Sequence, residues 1–135
     1  MKILLDTHIV IWTLTDDARL TEKAKKIIVD KNNIIYYSTV SLWEIAVKNQ
    51  KSPEKCPYHE KDIMDYCTQA GFIPVLINPS HVLEVRTLQV KENRVLSNHD
   101  PFDRMLLAQG KYEKCLFLTH DQMFENYEEK CVLMV

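Results

Sequence analysis

Lys2-Ile3-Leu4-Leu5-Asp6-Thr7-His8 decides how this chain folds. An apolar run stops at a carboxylate, and a hydroxyl, an imidazole and a second apolar run, Ile9 to Leu14, follow it. A short strand without polar alternation is one buried on both faces, as in a parallel sheet covered by helices. Asp6 at its carboxyl end then stands where open parallel sheets bind ligands, in the crevice outside the strand ends. Whether Asp6 is a ligand or a turn residue depends on whether other acids reach the same edge.

The rest of the chain reads as strands alternating with helices. Ile9 to Leu14 opens a helix. Thr21 caps a second from Glu22 to Val29, with Ala24, Ile27 and Ile28 as its apolar stripe. Ile34 to Tyr37 is β-branched and aromatic, a second strand. Ser38 to Ser41 offers caps for a helix from about Val40 to Asn49, with Leu42, Ile45, Ala46 and Asn49 on one face. After a loop with two prolines, His59 to Ala70 is helical and Gly71 ends it. Phe72 to Ile77 is a third strand. Asn78-Pro79 is a cap followed by proline at the first helical position, and Val82, Val85 and Leu88 line the helix it opens. Val90 to His99 is polar and loop-like. Asp100-Pro101 repeats the cap and opens a helix to about Gln109, closed by Gly110. Cys115 to Leu118 is a strand, Gln122 to Tyr127 a helical turn, and Cys131 to Val135 a last strand. Helices of crossover length between strands predict an α/β fold with a helix-covered parallel sheet.

Composition bounds the function. A length of 135 residues favours a single domain, residues 1–135. Only two glycines occur, which excludes a glycine-rich phosphate loop. No apolar run is long enough to span a bilayer, and the short first run ends in an acid, unlike a signal peptide; a cytoplasmic location is the expectation. The four cysteines, Cys56, Cys67, Cys115 and Cys131, lack C-x-x-C spacing, so idle thiols are expected rather than a zinc site. A net charge of −2 argues against a general electrostatic grip on nucleic acid, while leaving room for a local basic rim around an acidic, metal-filled pocket.

Acids recur at the edge that Asp6 marks. Glu44 lies in the first turns after the second strand, Asp100 and Asp103 open the helix before the fourth strand, and Asp121 sits just past it. Each also has an ordinary reading. Asp6 can bond a turn, Glu44 can pair with Lys48 on a solvated helix face, Asp100 is an excellent N-cap, Asp103 at N3 complements the helix dipole, and Asp121 can cap the last helical turn. Their common placement is the stronger clue. Clustered carboxylates need a counter-charge, and hard oxygen ligands with few histidines suit Mg²⁺ or Mn²⁺. Such a cation supports hydrolysis of a phosphodiester by water, with no serine or cysteine nucleophile.

Leu4-Leu5-Asp6-Thr7-His8, Ser41-Leu42-Trp43-Glu44-Ile45, the run His99-Asp100-Pro101-Phe102-Asp103-Arg104-Met105-Leu106-Leu107-Ala108-Gln109, and Leu118-Thr119-His120-Asp121 together resemble the PIN domain. The nearest branch in pattern is the VapC-type toxins of bacterial toxin–antitoxin pairs. The match runs in order over nearly the whole chain, and the D-P-F-D-R-x-L-x-A-Q block is its most specific part. The resemblance implies a three-layer α/β/α fold with a central, mostly parallel sheet. It also implies a Mg²⁺- or Mn²⁺-dependent endoribonuclease acting on RNA, a homodimer, and a small antitoxin partner inserted near the site. Carried over by position, the metal-site and catalytic acids are Asp6, Glu44, Asp103 and Asp121. Asp100 is left as the helix cap, and Thr7 and Thr119 stand close by as polar support.

Other residues take two readings each. His8 and His120 flank candidate acids and can touch phosphate or simply form hydrogen bonds. His81 and His99 read as structural. Arg104 can bind phosphate or pair with a neighbouring acid. Lys48 and Lys51 form a basic rim or a solvated face. Trp12 and Trp43 stack on bases or pack in a core or dimer interface. Two other functions fit the pattern less well: a catalytically silent PIN-like module that binds RNA or protein, which has no need of mutually repelling acids, and a nuclease for DNA flaps, for which the short chain offers no arch.

Overall fold

A computed structural model describes residues 1–92 and 100–135. Strand β1 (Lys2–Leu5) lies at the centre of a five-stranded sheet in the order β3 (Ile73–Val75), β2 (Ile34–Ser38), β1, β4 (Leu116–Thr119), β5 (Val132–Met134). All four pairings among these strands are parallel; Ile3 of β1 is flanked by Ile35 and Leu116. The helices are α1 (Thr7–Leu14), α2 (Glu22–Val29), α3 (Thr39–Lys51), α4 (Glu60–Ala70), α5 (Pro79–Val85) and α6 (Pro101–Tyr112), and a 3-10 helix spans Gln122–Asn126.

The pleat of β1 divides the core. Ile3 and Leu5 face Ile9 and Val10 of α1, Ala24 of α2, and Ile63 and Cys67 of α4. Leu4 faces the other way, among Leu106, Leu107 and Ala108 of α6, with Phe117 and Phe124. Helices therefore cover both faces, and the expected three-layer α/β/α architecture is the one found. Local chemistry sets the helix ends. Thr21 accepts from the Ala24 amide at 3.2 Å, and Asp100 accepts from the Phe102 amide at 2.8 Å. Gly71 closes α4 at φ +80°, which costs glycine little.

Several boundaries differ from the sequence reading, each for a physical reason. Helix α1 begins at Thr7, two residues early, because the Asp6 carboxylate accepts the Thr7 amide. Strand β3 has three residues rather than six; it is a sheet edge and contains Pro74, which lacks a ladder donor. Val82 is exposed on the short α5, while Leu88 is buried beyond that helix's end. On α3 the expected face holds at Ile45, which is buried, and Leu42, which packs against the core, but the helix also buries Ser41 and Glu44, whose polar groups have buried partners. In the segment read as a polar loop, Val90 bridges to Tyr127, and residues 93–99, His99 included, lie outside the described residues. Among the described residues no helix is long and apolar enough to cross a membrane.

Gly110 does not close α6 but sits inside it, where a Cβ would lie 3.3 Å from the Phe117 Cβ on β4. This glycine is a spacer between helix and sheet. Gly110→Leu should destabilise by about 1–3 kcal/mol through overpacking. Gly71→Ala meets no atom within 4 Å and should cost only about 1 kcal/mol of backbone strain. Urea unfolding with an unchanged m-value checks both.

Candidate active site

The backbone continues its pairing one residue past β1, with the Asp6 amide donating to the Leu118 carbonyl at 2.9 Å. This delivers the Asp6 side chain to the sheet edge with only 4% of the residue exposed. One carboxylate oxygen accepts the Thr7 amide at 2.7 Å and the other accepts the Thr119 hydroxyl at 2.7 Å. The Thr119 hydroxyl in turn accepts the Asp121 amide at 3.0 Å. The ends of β1 and β4 are thereby tied together.

Glu44 is buried on the inward side of α3. Its Oε1 accepts the Thr7 hydroxyl at 2.7 Å, and that hydroxyl also bonds Ser41 Oγ at 2.8 Å. Its Oε2 pairs with Lys48 Nζ. The i, i+4 pair expected from the sequence is present, but its acid is interior, not on a solvated face. Thr7 therefore contacts both first acids, its amide on Asp6 and its hydroxyl on Glu44.

Asp100 caps α6, accepting the Phe102 and Asp103 amides at 2.8 and 3.3 Å. Asp103 is half-buried one turn inside that helix. Burial pushes the Asp103 carboxyl up to about 8, with Asp6, Asp100, Glu44 and Asp121 adding repulsion in that order. Burial likewise raises Asp6 to about 7 against its two donors, and Glu44 and Asp121 push it further up. Asp121 is exposed and caps the 3-10 helix, accepting the Met123 amide at 2.9 Å. The four acids thus feel one another's charge at one edge. Asp121 serves its ordinary capping role as well.

A buried polar chain holds the helices that carry these acids. The Ser38 hydroxyl accepts the Val40 amide at the start of α3 and donates to Gln109 Oε1 on α6. Gln109 Nε2 lies 3.4 Å from His81 Nδ1, which also accepts the Asn78 amide at 3.2 Å. Since Nδ1 is an acceptor, His81 Nε2 donates to Glu113 at 2.7 Å. Ser38, His81 and Gln109 are all fully buried. His81 is structural, as read. Gln109 escaped notice as a positioning residue, although it ends the most specific sequence block.

The remaining candidates divide. His8 is held below its ordinary pKa by burial and then by Lys48, which favours its neutral form. His120 bonds the Val135 carbonyl through Nδ1. Arg104 pairs with no acid among the described residues; it donates to the Val85 carbonyl at 3.2 Å and to Tyr127 Oη at 3.4 Å. Trp12 is a core residue, and Trp43 is exposed, edge-on to Phe102 at 4.8 Å between centroids.

The donor set is oxygen-only and over-charged for its burial, which fits a hard divalent cation. Among the described residues no three His, Cys, Asp or Glu side chains already form a ligand cage. Mg²⁺ needs none, since it commonly takes one or two carboxylates and keeps its waters. The raised acids also set a pH dependence. The folded chain retains protons on Asp6 and Asp103 that the unfolded chain releases near 3.8. In chelator, stability should therefore fall as pH rises from about 4 through 7 and 8. A loss of about 1 kcal/mol lowers Tm by roughly 3–5 °C at this size. Asp103→Asn should flatten the profile between pH 5 and 8, and Mg²⁺ or Mn²⁺ should lift its alkaline end. Thermal melts at both pH values, with and without metal, check this.

The comparisons with known proteins agree with this architecture. Among curated proteins no relative matches the chain. Over its full length the chain superposes on a chain in the crystal structure of VapBC2 from Rickettsia felis bound to a DNA fragment from their promoter. The TM-score is 0.67 at 14% identity, covering 98% of that chain. A chain of DNA-bound VapBC from Salmonella typhimurium matches with a TM-score of 0.64 at 15% identity, over 95% of this chain and 93% of that one. At such identities the likeness is one of fold. The PIN domain family model matches residues 3–130, and the chain therefore belongs to the PIN domain family.

Proposed function

We propose that this chain, one PIN domain over residues 1–135, is a Mg²⁺- or Mn²⁺-dependent endoribonuclease and the toxin of a type II toxin–antitoxin pair. The convergence of Asp6, Glu44, Asp103 and Asp121 on one sheet edge carries this reading. Asp6, Glu44 and Asp103 would hold the ion, and Asp121 would complete the pocket. When bound, the ion supplies the positive charge that makes water a competent nucleophile and stabilises the phosphodiester's developing charge.

The chain's own groups prepare that pocket. Thr119 and the Thr7 amide fix Asp6 so that its carboxylate does not swing away from the edge. The Thr7 hydroxyl and Lys48 hold one oxygen each of Glu44. Neutral His8 can donate to a phosphate oxygen without opposing a cation nearby. Fold likeness to chains crystallised in VapBC assemblies supports an antitoxin partner. Exposed Leu76, Ile77, Val82 and Leu83 on and before α5 support a homodimer. Four unpaired thiols suit a reducing cytoplasm.

A second reading, a catalytically silent module that binds RNA or protein, draws on the absence of a ready ligand cage among the described residues. Two measurements separate them. Asp6→Asn should reduce cleavage of total RNA below about 1% of wild type, the scale lost with a transition-state electrostatic contact. A thermal melt in chelator checks that the variant still folds, since Asn relieves the repulsion but keeps only one of the two acceptor oxygens. Unchanged fragment ends on sequencing the RNA would refute the assignment. Titrating Mn²⁺ should raise the wild-type Tm with the logarithm of free metal above Kd, equivalent to about 2.7 kcal/mol at a hundredfold excess over Kd; a silent module shows no such rise.

A further inference from the structure

A cleft of about 390 Å³ opens beside the acids and shares Thr7 and Lys48 with them. Its charge is opposite to theirs. Arg19, Lys48, Lys51 and Lys55 line it together with Trp12 and Tyr58, and no Asp or Glu among the described residues lines it. Lys48 is committed to Glu44 and Arg19 to Asp17, whereas Lys51 and Lys55 pair with no acid among the described residues. In a chain of net charge −2 this is a segregated basic tract. At Tyr58 it meets a second hollow, lined by Asp62, so the tract is bounded there as well.

The backbone that carries these cations is held in place. Ser52 bonds back to Lys48, and the amides of Lys55 and Cys56 both donate to the Ser52 carbonyl at 3.0 Å. Asn49 donates to the Cys56 carbonyl at 2.8 Å. The loop carrying Lys55 is thus folded onto the end of α3. Arg19 is fixed more tightly. Its backbone amide donates to Asp17 Oδ1 at 2.9 Å, its Nε to the same oxygen at 3.0 Å, and its Nη2 to Oδ2 at 2.8 Å. The guanidinium carbon lies 5.0 Å from the Trp12 ring centroid. Asp17 is itself anchored to the end of α1 by its amide on the Trp12 carbonyl at 2.9 Å. Yet the Arg19 side chain is 67% exposed. The guanidinium thus lies over Trp12, Asp17 fills its Nε–Nη2 fork, and Nη1 is left to donate. An exposed arginine ordinarily gives up rotamer freedom on binding, and here Asp17 and Trp12 already restrict it.

We propose that this cleft is the subsite for the single-stranded nucleotide flanking the scissile phosphate. In it, a base stacks on the Arg19 guanidinium plane while Lys51 and Lys55 take the backbone phosphates. Guanidinium planes are a recognised platform for unstacked bases, and a cleft of this volume is ligand-sized. A duplex does not fit a concavity of that scale. Calling the occupant substrate rests on the nuclease reading; the binding chemistry does not.

The test is fluorescence anisotropy with labelled hexa-adenylate RNA and the full chain carrying Asp6→Asn to prevent cleavage. Lys51→Gln with Lys55→Gln should weaken binding about tenfold and reduce the salt slope by about 0.7 per lysine. Arg19→Lys keeps the charge and should weaken binding about fivefold or more through lost stacking, with the slope unchanged. Thermal melts verify folding, and the two lysine sites, being exposed, keep the test intact should Arg19→Lys misfold. Absence of binding, or equal binding by all variants, overturns the proposal. So does duplex RNA binding as tightly as the single strand, and so does deca-glutamate displacing the RNA at matched concentration, which would make the cleft an acidic-peptide site. Cleavage by the unsubstituted chain alongside unaltered binding in the variants overturns the subsite and leaves the nuclease. Variant-sensitive binding without cleavage supports the subsite and overturns the nuclease.

Discussion

Thr119 and the amide of Thr7 each donate one hydrogen bond to Asp6, and those two bonds make the rest of the edge possible. A carboxylate that is 4% exposed at the end of a central strand has lost most of its hydration. Burial then dominates its energetics and outweighs both donors, so its pKa stands near 7. The cost is a local one, tolerated because the strand behind it is buried on both faces and cannot shift. Asp103 is only half-buried, but burial is again the first cause of its raised pKa, and four neighbouring acids add repulsion.

The fold meets this repulsion by holding the acids on separate rigid elements. Asp6 comes from a strand, Glu44 from α3, Asp103 from α6 and Asp121 from the turn after β4. Thr7 and Lys48 engage Glu44, while the Ser38–Gln109 bond joins α3 to α6. Buried polar chains of this type are favourable only when every member is satisfied. Among the described residues no buried side-chain polar atom lacks a partner. Their benefit is positional: two helices that carry like charges are kept in register.

Charge is also partitioned at larger scale. The acids occupy the strand ends, and the basic cleft begins where Thr7 and Lys48 are shared between them. Lys48 belongs to both regions, with one carboxylate partner and its own pKa raised against burial by Glu44 and then by Asp100 and Asp103. A modest overall charge thus conceals two strongly opposed patches. Total charge bounds non-specific binding, whereas adjacent patches of opposite sign suit an anionic chain approaching a cation-seeking pocket.

The layer order, the caps at Thr21, Asn78 and Asp100, and the edge on which the acids meet were legible in the sequence. Each depends on local chemistry or on the period of apolar residues. The partners of Arg104, the place of Gly110 and the burial of Glu44 on α3 were not legible, because each depends on what another part of the chain brings alongside. Gly110 is needed by Phe117, and Arg104 is claimed by Val85 and Tyr127. Asp6 belongs to both accounts. The sequence by itself determined that a carboxylate would end the first strand. Only the tertiary structure decided its state, because its burial is a property of the packed fold and the charges of Glu44 and Asp121 come from residues 38 and 115 positions away. Hydration and Coulomb energy depend on distance in space, which sequence order does not encode.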